Sequence, residues 1–164
     1  MTKPIFTGVC TALVTPFLEN RLNTPMLRQL IRRQELAGTD ALLLCGTTGE
    51  SAALTDTEKL ELFKVSREAI PESVPFIAGT GSNNTAHAVA LSQAAQELGA
   101  DALLVVSPYY NKATEDGLYR HYRHIAEAVS IPVILYNVPS RTGLDIPVSV
   151  YQKLAEIPNI VGVK

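Results

Sequence analysis

The chain has 164 residues, of which 46% are hydrophobic and 18% are charged. This balance is typical of a folded globular domain and excludes a disordered segment. The formal net charge of −2 disfavours nucleic acid or an anionic membrane as the main partner. No apolar stretch approaches the ~20 residues that a membrane helix needs, and no signal-peptide pattern opens the sequence. We therefore expect a soluble cytoplasmic protein.

Six short apolar runs are predicted as β-strands. Each is nearly continuous in apolar residues, which is typical of strands buried on both faces of a parallel sheet. The runs cover residues 9–14, 41–45, 75–79, 102–106, 133–137 and 160–163.

Five amphipathic segments between these runs are predicted as α-helices. The first begins at Thr24-Pro25, a helix start signal, and continues with apolar residues at helical spacing. Thr55 and Glu58 have capping-box spacing at the start of the second helix. The other three helices cover residues 86–98, 115–128 and 148–157.

Two joins between a helix and the next strand resemble each other in sequence. Gly38 and Gly99 each follow a predicted helix and precede an acidic residue and a buried strand. A glycine at this position supplies the positive φ that ends many helices. We interpret the pair of joins as the trace of a repeated unit.

The alternation of strands and helices allows a doubly wound sheet or a (β/α)8 barrel. A dinucleotide-binding sheet would carry G-x-G-x-x-G after its first strand, but Thr15-Pro16-Phe17 stands there. A complete barrel needs eight strands and ~250 residues. We therefore predict an α/β fold in which residues 1–164 form a single partial (β/α)8 TIM-barrel domain. It has six strands and five helices and lacks strands 7 and 8 and the C-terminal helices.

The residues able to carry chemistry follow the predicted strands. In α/β folds, functional groups gather at the carboxyl ends of strands. Here those ends carry residues 46–51, 79–83, 107–111 and 136–143, and Lys164. Hydroxyls, one guanidinium and one amine are therefore predicted to converge on one rim.

Taken alone, most of these side chains have two interpretations. Thr47 and Thr48 lie in a glycine-flanked loop. This loop is interpreted either as a binding site for a small anion such as a carboxylate or as an ordinary turn. Tyr110 and Tyr136 are interpreted either as proton relays or as amphipathic core residues. Arg141 binds a substrate carboxylate, or is a solvated surface residue.

Lys164 directly follows the last apolar run. A neutral amine is a nucleophile, and burial beside Val161 and Val163 would favour the neutral form. The alternative is a lysine that extends from a strand end into solvent.

The remaining metal-ligand and thiol residues favour no metal site. Cys10 and Cys45 lie in apolar runs without C-x-x-C spacing, so we expect core thiols rather than a disulfide. His121 and His124 are spaced i, i+3, but no carboxylate or thiol cluster completes a site. We expect both histidines to be exposed on one helix.

Four rim segments, in order, resemble the dihydrodipicolinate synthase family, the pyruvate-dependent class I aldolases that also include N-acetylneuraminate lyase. The resemblance extends from Phe6 to Lys164. The segments are Gly-Thr-Thr-Gly-Glu-Ser at 46–51, Pro-Tyr-Tyr-Asn at 108–111, Tyr-Asn-Val-Pro-Ser-Arg-Thr-Gly at 136–143 and Val-Gly-Val-Lys at 161–164. The resemblance implies a barrel enzyme that condenses pyruvate with L-aspartate 4-semialdehyde in the diaminopimelate route to lysine.

The resemblance also implies roles for individual side chains. Lys164 would form a Schiff base with pyruvate, and Tyr136 would donate and accept protons beside the imine. Thr47 would link Tyr136 by hydrogen bonds to Tyr110, which reaches in from a neighbouring subunit and makes a dimer the smallest complete site. A homo-oligomer, as a dimer or a dimer of dimers, is therefore expected.

Substrate recognition is assigned in the same way. Thr48 would hold the pyruvate carboxylate, and Arg141 would bind the carboxylate of the semialdehyde at the mouth of the site. No metal or organic cofactor is expected, because the lysine imine itself is the electron sink.

A regulatory interface is a further implication of the resemblance. Lysine-inhibited members bind lysine at a subunit interface, and the residues that match their pattern are Ser51, Ala52, Asn83 and Tyr109. Asp56 and Lys59 stand where such members carry histidines, and His87 stands where they carry a glutamate. Loss of that carboxylate and gain of a cation should repel a cationic ligand, so weak or absent lysine inhibition is predicted.

Two alternatives remain at this point. In the first, the chain is another pyruvate aldolase of the same fold, acting on N-acetylneuraminate or a 2-keto-3-deoxy sugar acid. Otherwise it is an inactive fragment that only associates with other chains. Because strands 7 and 8 are absent, we expect that the chain as given lacks activity.

Overall fold

The computed structural model describes residues 4–164. Two compact units are present: residues up to Gly79 together with Glu97–Ala102, and Thr80–Gln96 together with Leu103–Lys164. Along the described chain, no helix is long and apolar enough to cross a membrane.

The first unit contains three parallel strands and two long helices. Its strands are β1 (Cys10–Ala12), β4 (Ala41–Leu44) and β5 (Phe76–Gly79). β4 lies between the other two, with Cys10 opposite Ala41 and Leu42 opposite Phe76. The helices are α1 (Thr24–Leu36) and α2 (Asp56–Ala69), and a short 3-10 helix covers Ser51–Ala53.

The core of this unit forms where apolar faces of the helices meet the strands. Leu27 and Ile31 of α1, Phe63 of α2 and Phe76 of β5 are almost completely buried. The rings of Phe63 and Phe76 lie 6.0 Å apart between centroids. Each such side chain stabilises the fold by about 1.5–3 kcal/mol through removal of apolar surface from water.

The second unit also contains three parallel strands. They are β6 (Ala102–Val106), β7 (Val133–Tyr136) and β8 (Ile160–Val163), with β7 in the middle. Val106 lies opposite Tyr136, and Leu135 lies opposite Val163. The helices are α3 (Thr85–Glu97), α4 (Glu115–Glu127), α5 (Pro139–Thr142) and α6 (Val148–Leu154).

The fold class is therefore α/β, with six parallel strands in alternation with helices, as in an incomplete (β/α)8 barrel. All six predicted strands are present, although several are one to three residues shorter than the apolar runs. The repeated joins are confirmed, because Gly38 and Gly99 have φ of +77° and +87°.

The helix caps follow the local sequence. The Thr55 hydroxyl accepts from the Glu58 N–H, and the Glu58 carboxylate accepts from the Thr55 N–H at 2.7 Å. The predicted capping box is therefore confirmed. At α1, Asn23 caps the helix by accepting from the Met26 N–H.

A short hairpin, the 3-10 helix Ser51–Ala53 and a one-turn α-helix were not predicted. A hairpin joins β2 (Phe17–Leu18) to β3 (Arg21–Leu22), and its turn residues Glu19 and Asn20 both have positive φ. Each strand has two residues, too few for an alternating pattern to be recognised. The one-turn helix α5 is also shorter than one helical period can reveal, so the structure has six α-helices in its described part rather than five.

Candidate active site

Lys164 and Tyr136 meet at the ends of two neighbouring strands. The Lys164 N–H donates to the Leu135 carbonyl at 2.8 Å, and the Asn137 N–H donates to the Lys164 carbonyl at 2.9 Å. These bonds extend the β7–β8 ladder and place Lys164 Nζ 4.2 Å from the centroid of the Tyr136 ring. A cation at this distance from an aromatic face is attracted by the ring.

The expected burial of the strand before Lys164 is wrong for this structure, and of the two interpretations of Lys164 it shows the one in which the lysine extends into solvent. Lys164 is exposed, as are Val161 and Val163 in the strand before it. The reason is that β8 has one hydrogen-bonded neighbour, β7, within the described chain. The environment of the amine is therefore set by the Tyr136 ring and solvent rather than by an apolar pocket.

The loop after β6 holds Tyr110 in a strained, projecting position. Tyr110 has φ of +72°, a backbone conformation that bulky residues rarely adopt, and its side chain is 90% exposed. The neighbouring Asn111 is anchored to Asn83: its amide donates to the Asn83 carbonyl at 2.9 Å, and the Asn83 amide donates back at 3.3 Å. Strain of this kind persists where surrounding contacts enforce it and often marks a functional position.

Arg141 lies on α5, in the loop that follows β7. The helix begins at Pro139 and ends at Gly143, which has φ of +69°. Arg141 is exposed, and its guanidinium has no hydrogen-bond or ion-pair partner within residues 4–164. The adjacent Thr142 is buried and donates to the Val138 and Leu144 carbonyls, so the loop is closed on itself.

The predicted regulatory residues of this unit lie at the start of α3. His87 is half-buried, and its Nδ1 lies 3.0 Å from the Ser82 hydroxyl. Its backbone N–H donates to the Asn84 side chain at 3.2 Å. Tyr109 is half-buried in the loop after β6. Ser82 was predicted as one of the rim residues 79–83, but its contact with His87 was not.

The other predicted residues, Thr47, Thr48, Ser51 and Ala52, belong to the first unit. Thr47 and Thr48 are exposed in a tight turn, in which the Gly49 and Glu50 N–H groups donate to carbonyls three residues earlier. The Thr15 hydroxyl donates to the Gly49 carbonyl at 2.7 Å and fixes the turn to the segment after β1. Thr15 is a positioning contact that only the tertiary structure reveals.

Lys59 is buried in α2, with Nζ 3.7 Å from an Asp56 carboxylate oxygen. Cys45, at the end of β4, is also buried, and burial raises the pKa of its thiol to about 12. The thiol is therefore protonated at neutral pH and unreactive. The two groups lie in the first unit and form part of its interior.

The prediction that both α4 histidines are exposed is wrong for His121. His124 is exposed, but His121 is only 4% exposed, and its Nδ1 lies 2.9 Å from the Thr85 hydroxyl. The spacing i, i+3 places His121 and His124 on adjacent sides of α4. The side that also carries the buried apolar residues of the helix faces the core, and His121 lies on that side. No group of three or more His, Cys, Asp or Glu side chains in residues 4–164 is arranged to hold a metal ion.

Comparisons with known proteins agree with this geometry. The model of the Dihydrodipicolinate synthetase family matches residues 5–164. The 4-hydroxy-tetrahydrodipicolinate synthase of Acetivibrio thermocellus is 53% identical over 164 residues, which are 100% of this chain and 56% of the relative. The chain thus spans about half the length of the curated relatives it matches.

Solved structures show the same similarity. The chloride-inhibited dihydrodipicolinate synthase of Acinetobacter baumannii, complexed with pyruvate, is 47% identical with a TM-score of 0.93, over 96% of this chain and 54% of that one. The Cyanidioschyzon merolae enzyme with lysine bound is 42% identical with a TM-score of 0.95, over 99% and 56%. With a family match that covers nearly every residue, this chain belongs to the dihydrodipicolinate synthetase family.

Proposed function

We propose that this chain carries the Schiff-base chemistry of a 4-hydroxy-tetrahydrodipicolinate synthase, which condenses pyruvate with L-aspartate 4-semialdehyde. The observation that carries the proposal is the Lys164 amine 4.2 Å from the Tyr136 ring, at the carboxyl ends of two parallel strands. Membership of the family and the pyruvate complex of the Acinetobacter baumannii relative support it.

In this proposal Lys164 is the nucleophile. Its neutral amine adds to the ketone carbon of pyruvate, and loss of water leaves an iminium. The iminium takes up the electron pair of a methyl C–H bond when that proton leaves, which gives an enamine. The enamine carbon then attacks the aldehyde carbon, a C–C bond forms, and the aldehyde oxygen takes up a proton as a hydroxyl. No oxidant, reductant, metal or organic cofactor takes part.

Tyr136 is the proposed proton donor and acceptor. Its ring is next to the amine. The phenol is therefore suited to transfer protons when the amine adds to the ketone, when water is lost and when the enamine forms. Thr47 and Tyr110 are proposed members of the proton relay. Their exposure in turns after strands is compatible with this role.

Substrate carboxylates are assigned to two other residues. Thr48 is proposed for the carboxylate of pyruvate, and Arg141 for that of the semialdehyde. The exposed guanidinium of Arg141 supports the second assignment, because arginine binds a carboxylate through two parallel hydrogen bonds.

A homo-oligomer is part of the proposal. The support is Tyr110, whose ring is 90% exposed on a strained backbone and is therefore available to a second copy of the chain. A cytoplasmic location is also proposed, supported by the buried, reduced thiol of Cys45. Weak lysine inhibition through Asn83, His87 and Tyr109, with Ser51 and Ala52, stays a prediction.

Borohydride trapping tests the proposed function. The chain is incubated with pyruvate and borohydride, digested and analysed by mass spectrometry. The expected lack of activity concerns the complete condensation, whereas imine formation needs the Lys164 amine alone. We therefore expect the mass of one reduced pyruvate on Lys164 and none on the buried Lys59, which serves as the internal control. Lys164→Arg keeps the positive charge but should take up no pyruvate.

The outcome of this experiment separates the alternatives. No adduct on Lys164 would remove the Schiff-base assignment and leave a chain that only associates with others. A pyruvate imine on Lys164 that is consumed, before borohydride is added, by a sugar aldehyde but not by L-aspartate 4-semialdehyde would place the chain among the sugar-acid lyases.

A further inference from the structure

Asn137 lies between the strand that carries the proposed nucleophile, Lys164, and the loop that carries Arg141. Its backbone N–H donates to the carbonyl of Lys164 at 2.9 Å, so the residue is attached to the nucleophile's strand. Its side chain reaches in the other direction, across the loop that carries Arg141. Both contacts lie within the second unit.

The side chain of Asn137 closes that loop. Its amide N–H donates to an Asp145 carboxylate oxygen at 2.6 Å, and its amide oxygen accepts from the Ile146 N–H at 3.3 Å. One amide therefore holds two successive residues at the far end of the loop. A hydrogen bond from an amide to a carboxylate is charge-assisted and stronger than one between neutral groups.

Arg141 lies between the two ends of this closure. It follows Asn137 by four residues and precedes Asp145 by four residues. Asp145 is exposed and is the nearest acidic residue in sequence on either side of Arg141. Its carboxylate is bonded to Asn137, whereas the Arg141 guanidinium has no ion-pair partner in the described residues.

We infer that the Asn137–Asp145 hydrogen bond is a positioning device for the acceptor site. It fixes the backbone that carries Arg141 relative to Lys164, and it occupies the one local carboxylate that would otherwise compete for the guanidinium. Asn137 thus couples the position of the nucleophile to the position of the group that binds the acceptor's carboxylate. The inference rests on the proposed function, because that function supplies the acceptor.

A role in positioning Arg141 predicts different effects on acceptor binding and on pyruvate adduct formation, whereas a purely structural role does not. Loss of the bond should weaken binding of the acceptor and leave formation of the pyruvate adduct on Lys164 unchanged. Asp145→Asn should behave like the parent. The amide oxygen of the new side chain can still accept from Asn137, and the charge that would compete for the guanidinium is gone. A general loss of stability would affect both measurements together.

The experiment uses modification of Arg141 by phenylglyoxal in the full 164-residue chain, quantified by mass spectrometry of its peptide. L-aspartate 4-semialdehyde is titrated in the presence of pyruvate, and the concentration that gives half-protection of Arg141 is measured. Arg120, exposed on α4 and ion-paired with Asp116 at 2.8 Å, is the reference arginine, whose modification the semialdehyde should not change. Pyruvate trapping on Lys164 is measured in parallel samples of the same preparations without phenylglyoxal or the semialdehyde, because borohydride reduces both aldehydes.

We expect at least a tenfold rise in the half-protection concentration for Asn137→Ala and for Asp145→Ala, and less than a twofold change for Asp145→Asn. Ser149→Ala is the matched control, because it removes a 2.7 Å side-chain bond to the Glu115 carboxylate elsewhere in the second unit. Asp145 is exposed, so Asp145→Ala keeps the test valid if Asn137→Ala does not fold.

Two results would overturn the inference while the Schiff-base part of the proposed function stands. One is equal protection in the parent and all variants, and the other is no protection of Arg141 in a parent that is labelled by pyruvate. A parent that takes up no pyruvate on Lys164 would instead contradict the proposed function itself.

Discussion

His121 makes the stability of the chain sensitive to mild acid. The imidazole is 4% exposed, Nδ1 lies 2.9 Å from the Thr85 hydroxyl, and Nε2 is buried without a hydrogen-bond partner in the described residues. Protonation would leave a buried N–H unsatisfied and a charge in an apolar environment. Burial, with a smaller contribution from the charge of His124, lowers the pKa of His121 from 6.5 to about 4.

The sign and size of the effect follow from these two pKa values. Between pH 6.5 and 4 the unfolded chain binds a proton at this histidine and the folded chain does not, so the free energy of unfolding falls as the pH falls. The slope approaches 1.36 kcal/mol per pH unit, which gives a loss of about 2 kcal/mol at pH 5 and about 3 kcal/mol near pH 4. The contribution becomes constant about one pH unit above 6.5, where the unfolded histidine is also neutral.

Urea denaturation at a series of pH values, followed by circular dichroism, measures this loss. His121→Gln removes the titrating group and keeps an amide that can bond to Thr85, so its curve should be flatter than that of the parent between pH 6.5 and 4.5. His124→Gln, on the exposed side of the same helix, is the matched control and should keep the steep dependence. Parallel curves for the parent and His121→Gln over this range would refute the argument.

Two further substitutions test the local packing and capping. Gly81→Ala would place a Cβ 2.4 Å from the backbone nitrogen of Val106 and should destabilise the chain by about 2 kcal/mol or more in urea denaturation, whereas Gly162→Ala meets no atom within 4 Å and should change it by less than about 1 kcal/mol. Similar losses in the two variants would contradict this account. Thr55→Ala removes the cap of α2 and should cost about 1 kcal/mol, with the exposed Thr57→Ala as the control. An unchanged denaturation midpoint for Thr55→Ala would show that the capping box contributes nothing.

The strands and the main helices could be predicted because their signals are local. The continuous apolar run at 102–106 became a strand with the same bounds, since a strand buried on both faces needs no polar alternation. The α2 cap was predicted for a similar reason, because Thr55 and Glu58 bond to each other within one turn. The short helix α5 could not be predicted, since its single turn is held by Thr142 bonds within the loop.

The candidate site was predicted in part. Lys164 and Tyr136 were identified as members of one site, and the structure brings them into contact because their strands are neighbours in register. The burial expected for the strand before Lys164 was wrong, because the apolar character of a strand does not say what covers it. The Asn137–Asp145 bond was not foreseen, since it depends on how the loop between them turns back.

By itself, the sequence determined the identity and order of the six parallel strands and five of the helices, the glycines that end two helices, and the residues at the strand ends. These features depend on backbone preferences and on contacts within a few residues. Only the tertiary structure decided which of two histidines on α4 is buried and which side chain closes the Arg141 loop. The first outcome involves atoms that are 36 residues apart, and the second depends on how a loop turns back over eight residues. Burial and hydrogen-bond geometry exist only once such atoms have been brought together.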